Sequence, residues 1–234
     1  MLNNLNYLKK DVTAEIRSFA CRQGRLTKSQ RCAINEHWQK IGIGYQNQII
    51  NINSLFVNEA PLVIDIGFGI GDYLIEQAIN NPQNNFIGIE VYLPGVGSCL
   101  SRANQAKLLN FRLIYHDAID VFTEMLPDHS IYRVQLFFPD PWPKRRHHKR
   151  RLITLSFAKL VLSKLQLTGI FHIVTDWTSY AEHIIKVMND ISGYKNLSEE
   201  KNYMPRPFTR PLTKFEKRGI SLGYIVRDIM YQKL

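Results

Sequence analysis

From about residue 60 onward, short apolar runs alternate with segments whose apolar positions recur at helical spacing. Residues 62–66 (LVIDI) form an apolar run that ends in glycines, as a buried parallel strand does. Residues 71–80 carry the helical period, 86–89 read as a second strand and 94–109 as a second helix. The rhythm continues with a strand at 111–115, a short helix at 118–125, a strand at 134–138, a helix at 152–167, a strand at 170–174 and a helix at 180–191. Residues 222–230 supply material for a closing antiparallel strand. Strands separated by helices in this way predict an α/β fold, a mostly parallel, doubly wound sheet. There is no internal repeat and no low-complexity linker, so residues 32–234 are expected to form a single domain. Residues 1–31 are polar and basic: Lys9, Lys10, Arg17, Arg22, Arg25, Lys28 and Arg31 outweigh Asp11 and Glu15. They read as an arm rather than a core element.

Length and composition change this picture in one respect. The 234 residues, 45% hydrophobic and 21% charged, are ordinary for a soluble domain with a proper core. The net charge of +10 is not ordinary and favours an anionic partner. Cys21, Cys32 and Cys99 are odd in number and widely spaced, fitting neither a disulfide framework nor a zinc site. No apolar run approaches the roughly 18 residues of a membrane span. The N-terminus lacks the apolar core of a secretory signal. The expectation is a cytoplasmic protein that engages neither a membrane nor a metal.

Candidate chemistry lies where a doubly wound sheet binds its ligands, at the carboxyl ends of the strands. Asp65 ends the first strand, Glu90 the second, Asp117 follows the third and Asp140 the fourth. Any one of them can serve as a helix N-cap, but four successive acidic exits argue for a shared pocket. Gly67, Gly69 and Gly71 form G-x-G-x-G, which lets a ligand approach the backbone closely. A dinucleotide fingerprint instead requires G-x-G-x-x-G, and its third glycine is here Asp72, a carboxylate that would repel a pyrophosphate. The spacing better suits S-adenosylmethionine, which has no phosphate and carries a cationic sulfonium. Glu90, about twenty residues past the glycines, is placed to bind ribose hydroxyls.

The most distinctive stretch is LFFPDPWPKRRHHKRRL, residues 136–152. A buried strand delivers Asp140 and the stiff Pro141-Trp142-Pro143 to a run containing Lys144, Arg145, Arg146, Lys149, Arg150 and Arg151 with no acid among them. Phosphate backbones are the commonest partner of such a run. A basic run alone is as often a solvated face, but surface charge does not require a rigid loop at a strand exit. His147 and His148 fit phosphate or base contact better than metal ligation, because no carboxylate or thiolate cluster accompanies them. His116 reads as a pocket wall or core residue. A second segment, 206–219 (RPFTRPLTKFEKRG), interleaves Arg206, Arg210, Lys214, Lys217 and Arg218 with Phe208 and Phe215. It suits a nucleic-acid face on which cations take phosphates and rings stack on bases, or else a plain solvated loop anchored by its Phe residues.

DIGFGIG, FFPDPWPKRRHHKRR, TDW and RPLTKFEKRG, in this order, resemble the bacterial tRNA (guanine-N7-)-methyltransferase family over essentially the whole chain. RSFACRQGRLTKSQ, residues 17–30, is similar to that family's basic arm. The resemblance implies a class I S-adenosylmethionine-dependent methyltransferase (Rossmann-like) that methylates a guanine in the variable loop of tRNA. It implies S-adenosylmethionine as cofactor, bound by Asp65, Gly67, Gly69, Glu90, Asp117 and Asp140. It marks Asp140 as the catalytic residue and assigns Lys144, Asp176 and Thr213, Lys214, Phe215 and Glu216 to the tRNA, alongside Arg145, Arg146, Arg150 and Arg151. A longer Glu is common in that family where this chain has Asp65. The expected assembly is a monomer or homodimer.

Two other readings stay open at the level of sequence. Asp-Pro-Pro-Tyr-like loops methylate exocyclic amines, and Asp140-Pro141-Trp142-Pro143 is a near relation of them. An RNA-binding module retaining a dead cofactor pocket would carry the same basic run. Trp142 either stacks on a base or wedges the loop.

Overall fold

In the computed structural model, residues 17–19, 24–198, 203–208 and 210–234 are described, without the side chain of Lys214. Lys9, Lys10, Asp11, Glu15, Cys21 and Arg22 of the basic stretch lie outside them. In chain order the elements are α1 (Lys28–Ile41), β1 (Gly42–Ile43), β2 (Leu62–Ile66), α2 (Asp72–Asn80), β3 (Asn85–Glu90), α3 (Leu93–Gln105), β4 (Phe111–Tyr115), α4 (Ala118–Glu124), β5 (Ile131–Phe137), α5 (Leu155–Lys164), β6 (Leu165–Thr175), α6 (Thr178–Asn189), β7 (Tyr194–Asn196), α7 (Lys214–Ser221) and β8 (Arg227–Lys233). They fall into two compact units, one running to Ala60 and resuming at Gly67–Pro127, the other Pro61–Ile66 with Asp128–Leu234.

In the first unit β4 lies between β1 and β3, all parallel. Every residue of β3 is buried, which explains the apolar run at 86–89 within it. α1 begins inside the stretch expected to be an arm. Thr27 and Gln30 close a reciprocal capping box, with Thr27 Oγ1 accepting from the Gln30 amide at 3.2 Å and Gln30 Oε1 from the Thr27 amide at 2.9 Å. Gln30 also donates to Ser98 Oγ at 3.1 Å, and Gly97 lets α1 approach α3 so closely that a Cβ there would meet the Gln30 backbone at 2.9 Å.

In the second unit β2, β5 and β6 run parallel; β8 pairs antiparallel with β6, and β7 antiparallel with β8. The expected closing strand is therefore present, shifted to Arg227–Lys233. Leu222 and Ile225, expected in it, are exposed on the turn after α7. The helix expected over 152–167 ends at Lys164, and Leu165 opens β6 opposite Ile131. Apolar periodicity cannot separate a buried helix end from the buried strand that follows it directly. Lys164 marks the junction, its ammonium donating to Asp128 Oδ1 at 2.7 Å. Asp65, Asp140 and Asp176 sit at or just beyond the carboxyl ends of the adjacent parallel strands β2, β5 and β6. In the first unit Glu90 and Asp117 do the same on β3 and β4.

Candidate functional site

The glycine turn of the first unit is built by left-handed backbone. Gly67, Gly69 and Gly71 have φ of +73°, +60° and +78°, a region L side chains rarely adopt. A Cβ on Gly71 would strike Cys99 Sγ at 2.3 Å, so that glycine packs the turn onto α3. A Cβ on Gly67 or Gly69 would meet nothing within 4 Å, so these two face open space that a ligand can occupy. Glu90 locks the turn from the end of β3: Oε2 accepts from the Gly69 amide at 2.7 Å, and Oε1 from the amides of Val91 at 2.6 Å and Tyr92 at 3.0 Å.

Asp117 is half-buried and caps α4, its Oδ1 accepting from the Ile119 amide at 3.0 Å. Asp65 is buried at the end of β2. Asp72 does not repel an anion as its position in the sequence suggests. Its carboxylate is paired with the guanidinium of Arg102, which also donates to the Ile70 carbonyl, so Asp72 is not an uncompensated negative charge. What distinguishes the turn from a dinucleotide cradle is its spacing, not net repulsion. His116 stacks flat on Tyr45 with ring centroids 3.7 Å apart and shares a 2.9 Å hydrogen bond with Asp120, as a wall residue does.

The second unit presents the Asp-Pro-Trp-Pro loop. Phe138 and Trp142 bracket it with φ of +52° and +44°, conformations that bulky side chains hold only when their surroundings over-determine them. The Phe138 amide donates to the Val174 carbonyl at 2.7 Å, tying the loop's start to β6. Asp140 is exposed. The basic run folds as a 3-10 turn over Arg145–Arg150, with Lys144, Arg145, Arg146 and Lys149 exposed. Arg150 lies with its guanidinium carbon 4.3 Å from the Trp142 ring centroid, and His147 meets that ring edge-on. Partial burial, then the charges of Arg146, Arg150, Lys144 and Lys149, hold His147 below the usual histidine range. Arg151 differs from its neighbours: it is only 4% exposed and turned into the protein.

The second segment becomes helical from Lys214 onward, as α7. Thr213 caps α7 by accepting from the Glu216 amide at 3.0 Å. Phe215 packs on Phe138 with centroids 4.9 Å apart, so α7 and the Asp140 loop meet. Asp176 reaches the same helix, its Oδ2 3.7 Å from where a Cβ on Gly219 would stand. Phe208 is fully exposed. Glu216, by contrast, is 1% exposed and faces Arg210, equally buried, which also grips Asp228. Asp228 in turn is 2.7 Å from His172 Nε2. Sequence reading missed this four-residue cluster. Thr-x-x-Glu at 213–216 is a helix-start signature, and it was the available signal for α7.

A family model described as "Putative methyltransferase" matches residues 59–229. The tRNA (guanine-N(7)-)-methyltransferase of Yersinia pestis (strain Pestoides F) is 54% identical over 218 residues, covering 93% of this chain and 91% of the relative. This chain belongs to the tRNA (guanine-N(7)-)-methyltransferase family. A second tRNA (guanine-N(7)-)-methyltransferase, from Vibrio cholerae serotype O1 (strain M66-2), is 52% identical over 223 residues, 95% of this chain and 93% of the relative. Among solved structures, the 16S rRNA methyltransferase KamB aligns with a TM-score of 0.58 at 13% identity, covering 77% of this chain and 91% of that one. The aminoglycoside resistance methyltransferase NpmB1 aligns with a TM-score of 0.53 at 14% identity, covering 78% and 92%. At such identities the likeness shows the fold alone, the class I methyltransferase fold. The tRNA (guanine-N(7)-)-methyltransferase family thus accounts for both the sheet and the motifs set on its strand ends.

Proposed function

We propose that this protein transfers the methyl group of S-adenosylmethionine to N7 of a guanine in the variable loop of tRNA, leaving 7-methylguanosine and S-adenosylhomocysteine. One observation carries the reading furthest. A rigid loop presents the exposed carboxylate of Asp140 directly before a turn with four exposed cations, Lys144, Arg145, Arg146 and Lys149, on a chain 54% identical to a protein of that name.

S-adenosylmethionine supplies an activated methyl group on a cationic sulfur. The chain's residues fit it: Gly67 and Gly69 leave the space, Glu90 holds the turn and faces the ribose hydroxyls, and Asp117 adds a carboxylate just past the end of the neighbouring strand β4. Guanine N7 has a lone pair and no proton. As the N7–methyl bond forms, the sulfur–methyl bond breaks and its electron pair stays on sulfur, so no general base is required. The protein's task is alignment of nucleophile, methyl carbon and sulfur. The purine becomes cationic as it is methylated, and the fixed carboxylate of Asp140 stabilises that growing charge. Lys144, Arg145, Arg146 and Arg150 take tRNA phosphates, while Phe215 with Asp176 and Thr213 on the neighbouring face contact the loop that carries the base. The N7 reading is favoured over an exocyclic amine because burial and cationic neighbours depress the basicity of His147, which packs on Trp142.

The test is to methylate unfractionated tRNA with labelled cofactor and map the modified nucleoside. Label in 7-methylguanosine of the variable loop supports the reading; label elsewhere, or none, contradicts it.

A further inference from the structure

Six cations crowd residues 144–151, and sequence treats them alike as phosphate contacts. The structure separates one of them. Arg151 is buried, and its guanidinium is engaged on three sides. Nε donates to the Pro141 carbonyl at 3.0 Å. Nη2 lies 3.2 Å from His148 Nε2, and because a guanidinium only donates, that ring nitrogen is the acceptor. The planar group lies over the ring of Tyr180 on α6, 4.8 Å from its centroid. Tyr180 is itself fixed, its hydroxyl accepting from the Ile153 amide at 3.3 Å, and burial pushes that hydroxyl up to about 12.

The Pro141 carbonyl belongs to the peptide that joins Pro141 to Trp142, between Asp140 and the left-handed turn at Trp142. A loop carrying a bulky residue at φ of +44° relaxes unless something holds it. A guanidinium that bonds this peptide in one direction and a ring nitrogen in another, while braced on an aromatic face, supplies that hold. Lysine could not, because an ammonium is a point charge with no planar face and no fixed fork.

We propose that Arg151 is a positioning residue: it clamps the Asp140–Trp142 loop from within and makes no contact with tRNA phosphate. The inference rests on the methyltransferase reading above, and the two fail separately, since methylation by the unaltered enzyme is measured in the same assay.

The experiment compares Arg151→Gln, Arg151→Lys and Arg146→Gln. For Arg146→Gln, the log–log salt slope of tRNA affinity should shrink by about 0.7–0.9, the loss of one phosphate contact. Arg151→Gln should keep the wild-type slope and KM for tRNA while kcat falls on the order of a hundredfold, as for a mispositioned reacting group. Arg151→Lys should stay as slow as Arg151→Gln. A slope reduced as in Arg146→Gln, or kcat restored by Lys, overturns the clamp. A second measurement uses the unaltered protein and covers the case of misfolded variants. On treatment with phenylglyoxal, Arg145 and Arg146 should react and be shielded by tRNA, whereas Arg151 should stay unreactive with or without tRNA. An Arg151 that reacts as fast as Arg145 in the free protein and is shielded by tRNA contradicts the proposal.

Discussion

Arg210 and Glu216 form a two-pronged ion pair inside the protein, with Nη1 donating to Oε2 at 2.6 Å and Nη2 to Oε1 at 2.7 Å. The remaining donors of Arg210 reach Asp228 on β8, Nε to Oδ1 at 2.8 Å and Nη2 to Oδ2 at 2.9 Å. One guanidinium thus bridges two buried carboxylates and bolts α7, with Phe215 at its exposed start, to β8. Arg210→Leu would leave both carboxylates buried without their cation. Breaking such a pair costs about 3–5 kcal/mol, and urea unfolding should show a loss of that order. A loss under about 1 kcal/mol, the worth of an exposed pair, would mean that water reaches the cluster.

His172 extends the cluster and gives it a pH dependence. Burial holds its imidazole below the usual range, although Asp228 pulls the other way. In the unfolded chain a histidine takes its proton near pH 6.5. Below that value the unfolded state binds a proton that the folded state refuses, so stability is present above about 6.5 and is lost as pH falls. The slope from this group is at most about 1.4 kcal/mol per pH unit. Urea unfolding between pH 7.5 and 5.5 should show the decline, and His172→Gln, whose amide can still donate to Asp228, should flatten it. A decline of equal steepness in His172→Gln would place its origin elsewhere.

Glu90 uses both carboxylate oxygens on the backbone of the glycine turn and the residues after β3. Glu90→Ala should therefore weaken S-adenosylmethionine binding by about 1.5–3 kcal/mol, the range for hydrogen bonds to a charged group. Calorimetry on the folded variant is the check, and unchanged affinity would remove Glu90 from the cofactor site.

Much of this was legible in the sequence because strand runs and glycine turns are local. Residues 111–115 were read to the residue as β4, and the acidic strand exits fell where the backbone places them. What was not legible depended on contacts distant in sequence. Arg210 meets Asp228 eighteen residues on and Glu216 six residues on, so nothing local marks it as buried rather than one more surface cation. Arg151 is the same case, identical in type to Arg150 and separated from it only by which way the turn faces. α1 escaped because it is polar over most of its surface, burying just Ala33, Ile34 and Ile41. Its Thr27–Gln30 capping box was the readable sign.

Asp140→Asn keeps the size of the side chain and removes its charge. If the carboxylate stabilises charge that exists only as the methyl transfers, kcat should fall by about 10²–10³, as for loss of one preorganised electrostatic group, while tRNA affinity changes little. Steady-state kinetics at saturating tRNA decide it. Normal turnover would show that no catalytic charge is exercised at this position.

The central claim is that the nucleophile is a ring nitrogen that needs no deprotonation. A tRNA carrying 7-deazaguanine at the target position tests it most directly, since carbon replaces N7 while the exocyclic amine and the shape of the base remain. This tRNA should bind with unchanged affinity and accept no methyl group. Methyl transfer to the same nucleotide would contradict the claim and move the nucleophile to the exocyclic amine.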